Sequence, residues 1–133
     1  MDWTPVVADF IAAEMEKPFA FSSTDCCATA DRWMTGVLGF SPLRKYGRVY
    51  TDEAGAREWL GEPGSIAVAV NRVMRASGLH KTPDPRPGDI GLFVQNRKLA
   101  VGIHTGSLWF SRDADGFIGA PLPAGWKAWK IVP

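Results

Sequence analysis

With 133 residues, 46% of them hydrophobic and 22% charged, the chain holds enough apolar material for one globular domain and too much to remain disordered. A net charge of +1, with acidic and basic residues interspersed, gives no electrostatic footprint for nucleic acid or for an anionic membrane. No apolar run approaches the length of a membrane span, and two adjacent cysteines can neither staple a fold nor, with the two histidines, provide a zinc-ligand spacing. The expectation is a single soluble domain over residues 1–133, in a reducing compartment, with no metal and no cofactor.

Thr4 followed by Pro5 is the chemistry of a helix start, and Val7, Phe10, Ile11, Glu14 and Met15 repeat at helical spacing until Lys17-Pro18 ends the segment. Ser22, Ser23, Thr24 and Asp25 are all N-cap types, so a second helix begins here. Behind that cap Cys26, Cys27, Ala30, Trp33, Met34 and Val37 share one stripe, opposite Asp31, Arg32 and Thr35, and Gly36 and Gly39 offer stops. Residues 39–50 are too irregular to assign. Thr51-Asp52-Glu53 opens a short helix carrying Trp59 and Leu60 and stopped at Gly61. Ser65 caps another, with Ile66, Ala69, Val70, Val73 and Met74 on its buried face and Gly78 as its stop.

Pro83, Pro85 and Pro87 then make a stiff, extended connection ending in Gly88-Asp89, after which the hydrophobic period changes from helical to alternating. Strands are expected over 90–94, 99–104, 107–111, 117–122 and 128–132. Residues 95–98, Thr105-Gly106 and Asp115-Gly116 are hairpin turn chemistries. Helices first and an antiparallel meander after them define an α+β domain, with the helices packed on one side of a sheet that begins only after Pro87.

Cys26 falls in the first turn of its helix, where backbone N–H groups and the helix dipole favour an anion and lower a thiol pKa. A cysteine on an apolar stripe also serves as a small core residue, and the pattern leaves both roles open. A disulfide between neighbours is strained. His104 and His80 are the other candidates for proton transfer, His80 within the proline-rich connection. The N-terminus has no basic segment followed by an apolar core, so no signal peptide is expected.

Three motifs carry a resemblance. Asp25-Cys26 at a helix start, Pro87-Gly88-Asp89 leading into a strand, and Val101-Gly102-Ile103 within one resemble the NlpC/P60 branch of papain-like cysteine peptidases. Residues 18–33, 46–50, 64–65, 87–93, 101–106 and 128–129 are similar, more closely still, to a small group of phage and prophage proteins found near tail genes. The resemblance implies a papain-like α+β fold in which Cys26 attacks an amide of the peptidoglycan stem peptide. It places the histidine base just before Val101, where this chain has Ala100. The third, orienting residue would lie near Trp109, Phe110 and Ser111, of which only Ser111 offers a substitute. Asp25 precedes the nucleophile as in the family, and capping is its simplest role. His104 shares a strand face with Ala100, but four residues of strand put it ~13 Å further along.

Two functions follow from this. One is a structural or assembly component of a phage tail or baseplate, located in the virion or in the host cytoplasm before assembly, that keeps the fold with an incomplete site. The other is an active cysteine hydrolase that cuts peptidoglycan through Cys26. Neither requires nucleic acid, a membrane or a cofactor.

Overall fold

In the computed structural model, which describes residues 1–19, 26–46, 66–95, 97–113 and 116–133, the helices come first and the sheet follows. The helices are α1 (Thr4–Met15), α2 (Cys26–Leu38), α3 (Pro42–Tyr46) and α4 (Ile66–Ala76). The strands are β1 (Ile90–Gln95), β2 (Lys98–His104), β3 (Leu108–Asp113), β4 (Gly116–Pro121) and β5 (Gly125–Trp129), with a 3₁₀ turn (Leu122–Ala124) before β5. The cap at Asp25 and its neighbours, the helix expected over 51–61 and the cap at Ser65 lie outside the described residues.

All pairings between these strands are antiparallel, in the order β4-β3-β2-β1-β5. The meander therefore holds from β1 to β4 and then breaks: β5 returns to pair with β1. The 3₁₀ turn carries the chain back across the sheet, and Trp109 fixes it by donating Nε1–H to the Leu122 carbonyl (3.1 Å). Gly91 and Gly125 lie against the Trp109 indole, so closely that a Cβ at either would fall 2.5 or 2.9 Å from its atoms. This closure encloses a small second core of Phe93, Ala100, Trp109, Ala120 and Ala128 on one face of the sheet.

The other face carries Ile90, Leu92, Val101, Ile103, Phe110 and Trp129 against Cys27, Ala30, Trp33 and Met34 of α2 and Val70, Val73 and Met74 of α4. Burying a side chain of this size contributes roughly 1.5–3 kcal/mol. The stripe expected on α2 is therefore the buried one, broadened to include Ala28 and Thr29. On α4 the buried residues are Ala69, Val70, Val73 and Met74, and Gly78, at φ +74°, turns the chain out of the helix while the Leu79 N–H closes on the Met74 carbonyl (3.0 Å). At α1 the Asp2 carboxylate, rather than Thr4, receives an early N–H, that of Thr4 itself (2.9 Å). Trp33 meets Trp3 and Phe10 edge-on, which joins α1 to α2.

Residues 39–50 contain a helix that periodicity does not reveal. Asp31, on the polar side of α2, accepts the Leu43 N–H (2.9 Å) and the Ser41 hydroxyl (2.6 Å), and Ser41 Oγ in turn accepts the Arg44 N–H (3.2 Å). A five-residue helix is thus started by a carboxylate ten residues or more upstream.

The last expected strand, 128–132, is displaced to Gly125–Trp129, and the reason is chemical. The Lys130 N–H goes to the His80 carbonyl (2.9 Å), while those of Ile131 and Val132 go to Asp89 Oδ1 (2.8 and 3.3 Å). Donors committed to a carboxylate cannot extend a ladder. Gly88, at φ +98°, sits beside this junction and accepts the Trp33 Nε1–H on its carbonyl (2.7 Å). A Cβ there would lie 2.4 Å from Val132 Cγ1 and 3.2 Å from Trp33 Cζ2. Left-handed backbone costs about 1–2 kcal/mol for a residue other than glycine, and overpacking about 1–3 kcal/mol. Gly88→Ala is therefore expected to lower unfolding stability by about 2–5 kcal/mol in urea melts followed by tryptophan fluorescence, whereas Gly36→Ala, with nothing near its Cβ position, should not destabilise.

Candidate functional site

β2 and β3 pair only at Ile103↔Phe110 and His104↔Trp109. That register would put Val101 opposite Arg112, but no such pair forms, and the Val101 carbonyl instead accepts the Ser111 hydroxyl (2.7 Å). The two hairpins diverge from this point. Between their ends, and beneath the start of α2, lies a cleft of about 390 Å³. Cys26 enters it from the helix, Gln95, Lys98, Leu99 and Ala100 from the first hairpin, and Ser111, Arg112, Phe117 and Ile118 from the second.

Cys26 is the first residue of α2 and half-buried, at the positive end of the helix dipole. Cys27 is 6% exposed and belongs to the main core. Their sulfurs stand 3.9 Å apart, far beyond a disulfide bond. Ala100 also lines the cleft, but it is 9% exposed and packs with Phe93, Trp109 and Ala128 on the face of the sheet away from the α2 contacts. Ser111 is buried, and its hydroxyl proton is committed to Val101. Asp25 lies outside the described residues.

Both histidines are described, and neither lines this cleft. His104 ends β2 on the far side of the β2–β3 pairing, with its ring edge-on to Trp109 and Nδ1 accepting the Gly106 N–H (3.0 Å). With Nδ1 an acceptor, the neutral ring carries its proton on Nε2. Burial pushes its pKa below the ordinary histidine range, against a weaker upward pull from the carboxylates of Asp89 and Asp84. His80 is exposed and lines a different cleft with Arg75, Lys81 and Trp129. Among the described residues no group of three or more histidine, cysteine or acidic side chains could hold a metal ion, and no helix is long and apolar enough to cross a membrane.

Reading from the sequence missed Arg112, which closes the back of the cleft. Its side chain reaches the C-terminal end of α1, where Nη1 donates to the carbonyls of Glu14 and Lys17 and Nη2 to that of Lys17 (3.1 Å each). A cation at this end of a helix is favoured by the exposed carbonyls and the dipole. The guanidinium also lies over the Phe117 ring, 4.7 Å from its centroid. Beside it the fully buried Glu14 carboxylate is gripped by Arg32 Nη1 (2.6 Å to both oxygens) and by Lys17 Nζ (3.0 Å). Alternation gives a signal for this: Arg112 shares a strand face with Leu108 and Phe110, and a charge on an apolar face needs partners.

Fold and site together define an α+β domain that presents a helix-start cysteine to a cleft between two splayed hairpins. The chain belongs to the family described as a domain of unknown function, DUF6950, which matches residues 1–131. No curated protein and no solved structure matches it.

Two outcomes follow for the titratable groups. Iodoacetamide, with products read by mass spectrometry at graded pH, should modify Cys26 well before Cys27, because the buried thiol is reached only when α2 opens. Preferential labelling of Cys27 would remove the case for a nucleophile. For His104 the folded pKa is lowered, so the unfolded chain binds the extra proton first. Its contribution to stability is complete above the unfolded pKa of about 6.5 and is lost as pH falls below it. His104→Asn, whose Oδ1 can accept the Gly106 N–H in place of Nδ1, should flatten the pH dependence of the denaturation midpoint in this range.

Proposed function

We propose that this protein is a tail-associated structural or assembly component of a phage or prophage, built on an NlpC/P60-like domain with an incomplete catalytic site. The observation that carries this reading is the Cys26 cleft without a histidine. A helix dipole can supply a thiolate, but expelling an amine from a tetrahedral intermediate needs a proton donor within hydrogen-bond reach. The position that the resemblance assigns to the base holds Ala100, packed into an apolar cluster. His104 lies outside the cleft, with Nδ1 accepting the Gly106 N–H. Ser111, committed to Val101, does not orient an imidazole.

An active hydrolase is the second reading, favoured by the half-buried thiol at a helix start inside a cleft. The two separate on one experiment. Purified full chain, incubated with peptidoglycan and with synthetic stem peptides, is expected to release no more amine than Cys26→Ala. In tail particles induced from a host that carries the gene, the chain is expected among the proteins found by mass spectrometry, and Cys26→Ala should assemble as well as wild type. Amine release by wild type that Cys26→Ala abolishes would establish the hydrolase instead.

A further inference from the structure

We propose that the cleft between the end of α4 and β5 binds a small phosphate monoester through Arg75, His80 and Lys81. Its volume is about 320 Å³, and Asn71, Leu79 and Trp129 line it together with these three side chains. Among the described residues no carboxylate lines it. None of the Asn71, Arg75, His80 and Lys81 side chains makes a hydrogen bond or ion pair with another described residue. Elsewhere the chain does engage cations: Lys17 and Arg86 pair with carboxylates, and Lys45 and Lys127 lie over aromatic rings. A concave site lined by one sign of charge focuses its field and concentrates counter-ions.

The backbone holds these groups in place. Asn71 and Arg75 are four residues apart on α4 and so share one face. Gly78 turns the chain back, and residues 80–82 are then pinned to β5: Lys81 bridges to Trp129, the His80 carbonyl accepts the Lys130 N–H (2.9 Å), and the Thr82 N–H goes to the Ala128 carbonyl (2.9 Å). The end of a helix would ordinarily repel an anion. Here the carbonyls of Val73, Met74 and Arg75 already accept the N–H groups of Ser77, Gly78 and Leu79. Charge count selects the ligand. Two permanent cations and an imidazole match a doubly charged group, and a phosphate monoester carries about two negative charges at neutral pH, whereas a carboxylate, a sulfate ester or a phosphate diester carries one. The uncommitted Arg75 guanidinium offers the two-pronged grip on its oxygens, and Lys81 adds a point charge. Leu79 and Trp129 give apolar wall to the carbon side of the ester.

The probes are phenyl phosphate, phenyl sulfate and benzoate, titrated into the full chain by calorimetry and by amide chemical shifts at a pH where the first is doubly charged. Phenyl phosphate should bind saturably and shift the amides of Asn71, Arg75 and residues 79–81, with the two monoanions at least tenfold weaker. Arg75→Gln and Lys81→Gln, both at exposed positions, should each weaken it at least fivefold. Arg86→Gln removes an exposed cation outside the cleft and should leave the affinity within twofold. Equal binding of the three anions, shifts centred on other residues, an equal loss in Arg86→Gln, or full affinity in either cleft variant would overturn the assignment. Cosedimentation with vesicles of phosphatidic acid, without binding of the soluble ester, would overturn it too. The site shares no residue with the Cys26 cleft, so its success or failure is independent of the peptidoglycan assay.

Discussion

The buried carboxylate of Asp89 is the constraint on which the other parts of this fold depend. At 2% exposure it would be costly without partners, and it has three backbone donors: Arg86 (2.8 Å), Ile131 (2.8 Å) and Val132 (3.3 Å). Hydrogen bonds to a charged group are worth about 1.5–3 kcal/mol each. Its own backbone carbonyl accepts the His104 N–H (2.9 Å), and the His104 carbonyl accepts the Gly88 N–H (2.8 Å). With Trp33 donating to Gly88, one Gly-Asp pair holds α2, the start of β1, the end of β2 and the C-terminal segment in a single junction. The cleft at the other end of β2 inherits its position from this junction, because α2 cannot shift along the sheet without breaking the Trp33 bond.

Much of this was legible in the sequence, for identifiable reasons. Alternation located β1 to β4 because each has one face on an apolar cluster, and positive-φ glycines at 106 and 116 stand where the turns were expected. The residues that failed to announce themselves act over long separations. Arg112 reaches carbonyls 95 and 98 residues back, and Glu14 and Arg32 are 18 apart. Periodicity sees only neighbours. Ending the third strand at Ser111 also left Arg112 off the face that would have exposed its anomaly. The fifth strand was misplaced because Ile131 and Val132 look like strand residues and are buried like them, while their N–H groups serve a carboxylate.

The candidate site divides in the same way. Cys26 at a helix start could be read from cap chemistry. The surroundings that give the cleft its character could not. A buried guanidinium, a helix end whose carbonyls hold it and an aromatic face beside it come from α1, β3 and β4, and only the divergence of β2 from β3 makes them wall to one space. That divergence depends in turn on Ser111, whose hydroxyl occupies the carbonyl that a continuing ladder would have used.

The return of β5 to the front of the sheet orders events during synthesis. The partners of Ile90 and Gly91 on that side are Trp129 and Ala128, so the first strand to leave the ribosome waits for the last. Until residues 125–132 emerge, Asp89 lacks two of its three donors, and the apolar faces of α2 and α4 have only part of a sheet to cover them. Closing contacts of such long sequence separation is slow relative to forming helices. Without residues 125–132 the helical layer has an incomplete lid, and the domain closes only when β5 pairs with β1.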